Sequence, residues 1–203
     1  VCPTSSFLNA VSGLKEGEYL GQDTHILAVR GGVLDSTGKS RIEFTEVLNF
    51  ISKPWHIWTN NAVELEADYD LLTEGRPSAP IHSSNTILGD RIFLEEGAKA
   101  TASILNSTSG SIYLAKDAEI MEGCMVRGGL ALGEHSALKL GTKIYGATTL
   151  GPHCKVGGEV NNCVLLGYSN KGHDGFLGNS ALGEWCNLGA DTNTSVLLYT
   201  SDA

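Results

Sequence analysis

His173 is the residue in this chain best suited to move a proton. It lies in the run Gly167-Tyr168-Ser169-Asn170-Lys171-Gly172-His173-Asp174-Gly175, with a glycine immediately before it, another two positions after it, and a lysine and a carboxylate close by. Glycines suit a loop that must expose a side chain and let a ligand approach its backbone. An imidazole is the usual general base at neutral pH because its unperturbed pKa is about 6.5. The other titratable groups form weaker constellations. Asp68 and Asp70 make an isolated DxD pair, read as solvated carboxylates. His135 and His153 stand eighteen positions apart, as do Arg127 and Tyr145.

The elements that must position these groups follow from a six-residue period. Leu114, Ile120, Val126, Leu132, Leu138, Ile144, Leu150 and Val156 are aliphatic at every sixth position. Four positions after each comes Ala118, Cys124, Leu130, Ser136, Thr142, Thr148, Cys154 or Val160, and the rhythm returns at Leu182 and Leu188 with Cys186 and Thr192. A fixed internal period identifies a repeat architecture. Six residues are too few for a strand, a turn and a helix, but they fit a short strand and a tight bend. Three such units close a triangular coil, and stacked coils pair backbone with backbone at about 4.8 Å. The expected fold is mainly β, a parallel β-helix with aliphatic ladders inside. On such a coil His135 and His153 stack at an outward corner, with no third histidine placed to complete a metal site. Arg127 and Tyr145 are expected to form a surface cation–π stack.

The period slips twice. Leu94 to Leu114 is twenty residues and Val156 to Leu182 twenty-six, each two more than a multiple of six. The extra pairs are expected near Asn106–Gly110 and within Gly167–Gly175. The second bulge carries His173, and loops that leave a rigid scaffold are where chemistry is commonly placed.

Residues 1–80 read differently, as a separate domain before a β-helix at 85–195 and a divergent tail at 196–203. His25–Val29 (HILAV) predicts a buried strand ending in a turn at Arg30-Gly31-Gly32, and Pro54–Leu72 predicts an imperfect helix. Arg76-Pro77-Ser78-Ala79-Pro80 reads as a linker. No Gly-rich phosphate loop occurs in 1–80. The net charge of −9, with no Lys/Arg cluster, argues against nucleic acid or anionic membrane as partners. There is no membrane-spanning stretch or signal peptide, and Cys124, Cys154 and Cys186 fall at the small inward slot of the repeat. Buried, reduced thiols and a cytoplasmic location are the expectation. The chain starts at Val1, which reads as a fragment.

The run His173-Asp174-Gly175-Phe176-Leu177-Gly178-Asn179-Ser180-Ala181-Leu182-Gly183-Glu184-Trp185-Cys186-Asn187-Leu188-Gly189-Ala190-Asp191-Thr192 resembles the active-site stretch of the bacterial bifunctional enzymes that make UDP-N-acetylglucosamine. Those enzymes join a uridylyltransferase (a diphosphorylase) to a glucosamine-1-phosphate N-acetyltransferase. The phrases Lys143-Ile144-Tyr145-Gly146-Ala147-Thr148-Thr149, Val156-Gly157-Gly158-Glu159-Val160 and Pro54-Trp55-His56-Ile57-Trp58 look closer to a divergent Bacteroidetes-type sugar nucleotidyltransferase branch of that family. The resemblance implies a left-handed coil, a homotrimer, and acetyl-CoA as the acyl donor to an amino-sugar phosphate. It implies that His173 is the general base and that Asn187 binds the sugar. Phe176 stands where the family has a tyrosine. Tyr145 and Asn162 fall where it holds the sugar phosphate with Arg and Lys and supply no positive charge, which leaves Lys143, Lys155 and Lys171 as candidate substitutes. Mg²⁺ would belong only to a nucleotidyltransferase half not contained here, of which residues 1–80 would be a short α/β C-terminal remnant.

After Ser195 the hexads stop, whereas in the family it resembles later coils and a neighbouring subunit form much of the acetyl-CoA site; the resemblance thus implies that the chain holds the base but not the whole acyl-donor pocket. Alone it is expected to be weakly active or inactive and prone to self-association through an open edge. Two other readings remain open. One is a sugar-1-phosphate nucleotidyltransferase whose catalytic domain lies upstream, with the β-helix as a trimerising or regulatory platform. The other is a non-enzymatic scaffold.

Overall fold

The computed structural model describes residues 4–31 and 34–195; Cys2, Gly32 and the 196–203 tail lie outside the described residues. By contact the chain divides into two compact units between Ser52 and Lys53.

In the first unit, α1 (Ser5–Gly13) begins at Thr4, whose Oγ1 accepts the Phe7 N–H at 3.1 Å. That bond satisfies one of the orphan donors of the first turn. A three-stranded sheet follows, with β1 (Glu18–Gln22) between antiparallel β2 (His25–Val29) and parallel β3 (Ser40–Glu43). Leu14, Leu20, Phe44 and Leu48 make its small core, with Phe7 edge-on to Phe44 at 5.8 Å. The HILAV run is the expected strand, but it sits at the sheet edge, so none of its residues is fully buried.

The second unit opens with two helices where the sequence suggested one. α2 (His56–Thr59) and α3 (Asn61–Thr73) break at Asn60. α3 buries Asn61, Leu65 and Tyr69, a stripe at four-residue spacing along one helix face. Asn61 Nδ2 donates to the Ala147 carbonyl at 2.8 Å, and its Oδ1 accepts the Thr149 hydroxyl at 2.8 Å. Arg91 bridges Glu66 and Asp70 at 3.0 and 2.8 Å while lying over the Tyr69 ring.

From Thr86 onward the structure is mainly β, with parallel strands curled into sheets. The strands form three rows. One contains Thr86–Leu88, Ile104–Asn106, Met125–Arg127 and Lys143–Tyr145. A second contains Ile92–Leu94, Ile112–Leu114, Leu130–Leu132 and Thr148–Leu150. The third contains Lys99–Ala100, Glu119–Ile120, Ala137–Leu138, Lys155–Val156 and Asn170–Lys171. Glu159–Leu165 and Phe176–Leu182 each run through both the first and second rows, so those rows form one curled ten-stranded sheet.

Neighbours in the middle of each row are eighteen positions apart, as in Met125↔Lys143, Leu130↔Thr148 and Ala137↔Lys155. Every one of the sixteen residues at the two inward slots from Leu114 to Val160 is buried. Polar side chains at those slots bond to the nearest carbonyl: Ser136 Oγ to Gly151 O at 2.6 Å, Thr142 Oγ1 to Lys139 O at 2.6 Å. The cost of burying a hydroxyl is thereby removed.

The first slip is the expected insertion. Leu88 pairs with Asn106 eighteen positions on, whereas Ile92 pairs with Ile112 twenty positions on, so the extra pair lies in 107–111. The second slip has the opposite cause. Val156 pairs with Lys171 fifteen positions on, and Leu165 with Leu182 seventeen on. The layers are shortened by three residues and then by one, not lengthened by two. The corner between Leu138 and Lys143 has four residues, and the next corner has only Gly157 and Gly158.

Leu138→Ala is expected to cost about 2–5 kcal/mol through a cavity in the ladder. Leu140→Ala, two positions on at a corner and 68% exposed, is expected to stay within about 0.5 kcal/mol. Urea unfolding of both variants checks the contrast, and equal losses would contradict the inward assignment.

Candidate functional site

The shortened corner makes the floor of the site. A side chain on Gly157 would meet the Gly172 carbonyl at 2.8 Å, and one on Gly158 would meet the Gly175 and His173 carbonyls at 2.8 and 3.0 Å. The four-residue corner Gly172–Gly175 therefore rests directly on bare backbone, and Gly158 holds a φ of +75° that a glycine adopts without strain. His173 stands exposed at the top of this corner. Two shallow cavities flank it. One, of about 230 Å³, is bordered by Met121, Lys139, Gly158, His173 and Asp174. The other, of about 180 Å³, is bordered by Lys139, Lys155, Asn170, His173 and Asn187. The Lys139 stem runs beside Gly172. Among the described residues neither ammonium, of Lys139 or of Lys155, has a hydrogen bond or ion pair.

The predicted residues are only partly brought together. Asn187 shares a cavity with His173, and its backbone bridges to Asn170. Lys155 joins them. Lys171, expected to face a substrate, is instead turned inward and is 1% exposed. It occupies the rung after Ile120, Leu138 and Val156. Its Nζ donates to the His173 carbonyl at 2.6 Å and to the Gly157 carbonyl at 3.1 Å.

Phe176 starts the strand after the His173 corner, its N–H donating to Asn193 Oδ1 at 2.7 Å. Asn162 lies at the bend between the first and second rows, with φ 53°, where its Nδ2 donates to Asn179 Oδ1 at 2.8 Å. Tyr145 and Lys143 border a larger hollow of about 630 Å³ on the outer face of the first row, together with Met125, Arg127 and Glu159. The Tyr145 hydroxyl donates to Glu159, which raises the pKa of the phenol. Arg127 is the register neighbour of Tyr145. The rings under guanidinium groups are those of Phe93 and Tyr69, so the expected Arg127–Tyr145 stack is not formed among the described residues. Sequence reasoning missed Lys139 and the Gly157–Gly158 floor. The GlyGly pair was visible, but its meaning depended on knowing which corner it shortened.

The remaining candidates have structural explanations. His135 and His153 stack at 4.9 Å, and the column continues through Tyr168 at 5.1 Å and Trp185 at 4.6 Å. Asp70 of the DxD pair is taken by Arg91, while burial raises the pKa of Asp68. Among the described residues no group of three His, Cys, Asp or Glu side chains is placed to hold a metal. Cys124, Cys154 and Cys163 are free and buried, and burial raises their thiol pKa values away from the reactive thiolate. No helix among the described residues is long and apolar enough to cross a membrane.

A family model described as sugar nucleotidyl transferase matches residues 1–77. The match supports a nucleotidyltransferase-like family, and with it a transferase. It ends before the first strand of the repeat and does not include His173. No curated protein matches the chain.

Burial lowers the Lys171 pKa below its ordinary value of 10.5, with nearby Asp174 pulling weakly the other way. The folded chain therefore binds fewer protons than the unfolded chain in the window just below 10.5, so stability rises with pH there. Urea midpoints of the wild type minus those of Lys171→Met should climb through that window. A flat or falling difference would contradict an inward ammonium.

Proposed function

We propose that residues 85–195 form a left-handed parallel β-helix acyltransferase domain. On this reading His173 is the general base for acetyl transfer from acetyl-CoA to the amine of a glucosamine-1-phosphate-like sugar. The observation that carries the reading is the exposed imidazole on a corner flanked by two cavities, one shared with Lys139 and the other with Lys139 and Lys155, whose ammonium groups are unpaired among the described residues. An amine attacks a thioester only as the free base and must lose a proton as the C–N bond forms. His173 takes that proton. The tetrahedral oxyanion collapses by breaking the C–S bond, and the imidazolium returns its proton to the CoA thiolate. Backbone amides of the corner are available to the oxyanion, and Asn187 orients the sugar.

The substrate phosphate needs positive charge. Lys143, Lys155 and Lys171 were the candidates from sequence. Lys171 is engaged with backbone carbonyls and Lys143 borders the hollow of Tyr145, whereas Lys155, with Lys139, stands beside His173. We assign the phosphate to that lysine pair. On this reading the chain assembles as a homotrimer in which a neighbouring copy completes the acyl-donor site.

A second reading is favoured by the match at 1–77. It is a sugar-1-phosphate nucleotidyltransferase activity to which the N-terminal part belongs, with the β domain as a platform. That chemistry uses Mg²⁺ held by carboxylates. The described residues do not fit such an ion, because Asp70 is bound by Arg91 and no three donors converge.

His173→Asn and His173→Ala are expected to lower CoA release from acetyl-CoA and glucosamine-1-phosphate by about 10²–10⁴-fold, followed with a thiol reagent, with little change in thermal midpoint. Lys155→Ala is expected to raise KM for the phosphorylated sugar about tenfold with kcat nearly unchanged, as loss of a uniformly held phosphate contact requires. Undiminished turnover in the His173 variants would exclude the base assignment.

A further inference from the structure

The ladder contains one residue that the hydrophobic effect alone would not select. Rung by rung the slot holds Ile120, Leu138, Val156, Lys171 and then, in the following layer, Leu188, whose N–H donates to the Asn170 carbonyl. A lysine in an interior slot is disfavoured unless its charge finds partners. Here the aliphatic stem fills the rung, and the ammonium reaches the underside of the corner opened by the missing residues at Gly157–Gly158. Both of its acceptors are main-chain carbonyls, those of Gly157 below and His173 above. A bond to a backbone carbonyl fixes the chain itself, and the His173 carbonyl carbon is bonded to the Cα that bears the imidazole.

We propose that Lys171 is the positioning residue of the site: its buried ammonium ties the His173 carbonyl to the Gly157 carbonyl and so sets the height and direction in which the imidazole is presented. The proposal rests on the acyl-transfer reading for its functional consequence, but its structural content stands apart from any reaction. It explains why the corner is glycine-bounded yet still holds one shape. It also explains why a lysine occupies a slot where an aliphatic side chain would pack as well. An aliphatic replacement would fill the rung and leave both carbonyls untied.

The test uses the full chain with Lys171→Met and Lys171→Leu, which keep the rung apolar and remove the donors. Both are expected to fold with thermal midpoints at or above the wild type. Hydrogen exchange should quicken at least tenfold at the Glu159 and Asp191 amides, which donate to the Gly175 and Asp174 carbonyls of the corner. Exchange at the Leu132 amide, remote from the corner, should not change. Turnover should fall at least tenfold, with KM for each substrate within about threefold, the pattern of a misplaced base and not of a lost binding contact. Unchanged exchange at Glu159 and Asp191 would overturn the proposal. Failure of both variants to fold would also overturn it, by making the lysine a requirement of the rung. If the wild type shows no acyl transfer, the reaction assignment falls by itself and the exchange comparison alone decides the role of Lys171.

Discussion

Backbone pairing between successive layers is the constraint on which everything else in the β unit depends. Each short strand is bonded to the one before and the one after, so a layer cannot slide. Whatever the sequence supplies at an inward position must be buried there. Aliphatic side chains meet this demand directly. Ser136, Thr142 and Ser169 meet it by donating to carbonyls close at hand. Lys171 obeys the same rule at longer range: its stem packs as a hydrocarbon and its terminus finds carbonyls at the nearest corner. The inward lysine is therefore an extension of the repeat's own solution for polar groups.

The site follows from that constraint. Removing two residues at one corner leaves Gly157 and Gly158 with no side chains above their backbone. The next corner, with its full four residues, settles onto them. His173 is raised by the mismatch between a short corner and a full one, while the layers on either side stay in register. The same displacement brings Lys139 and Lys155, from two earlier layers, alongside the imidazole. In a chain of net charge −9 such a local excess of ammonium groups favours an anionic ligand at short range, where screening is weakest.

Sequence reading recovered the repeat, its inward residues from Leu114 to Val160 and the exposed histidine, because a period of six leaves a mark on every layer; Cys186, expected to be buried, is only half-buried. It misjudged the second slip for an arithmetical reason. Losing four residues over two layers shifts the phase of a six-residue period just as gaining two does, so Leu182 and Leu188 return at the same shifted phase either way. Only the pairing of Val156 with Lys171 separates the two cases. The inward turn of Lys171 was hidden by the same ambiguity, since a lysine beside a glycine-rich loop reads as a surface group. The N-terminal part was less legible. Its short strands and small core show no period, so the β2 edge and the α2–α3 break at Asn60 depend on contacts that a single sequence does not display.

The column of rings at the opposite kind of corner shows why an interesting histidine pair need not be a site. Each layer makes the same tight turn, in which the residue after the first donates its N–H to the layer below: Asp117 to Glu96, His135 to Lys116, His153 to Glu134, Tyr168 to Pro152, Trp185 to Gly167. The turn requires a positive φ, and all five residues have one, between 50° and 60°. Left-handed backbone costs a non-glycine residue about 1–2 kcal/mol. Glycine would avoid that cost, as Gly97 does one layer earlier, but it offers nothing to stack. Aromatic stacking returns about 0.5–1.5 kcal/mol per pair, and the layer spacing holds His135, His153, Tyr168 and Trp185 at 4.6–5.1 Å. The two quantities are of the same size, so the rings at this corner are accounted for by the turn that carries them. His173 has no such account: it stacks on nothing among the described residues, its corner is bounded by glycines, and its carbonyl is held by a buried charge.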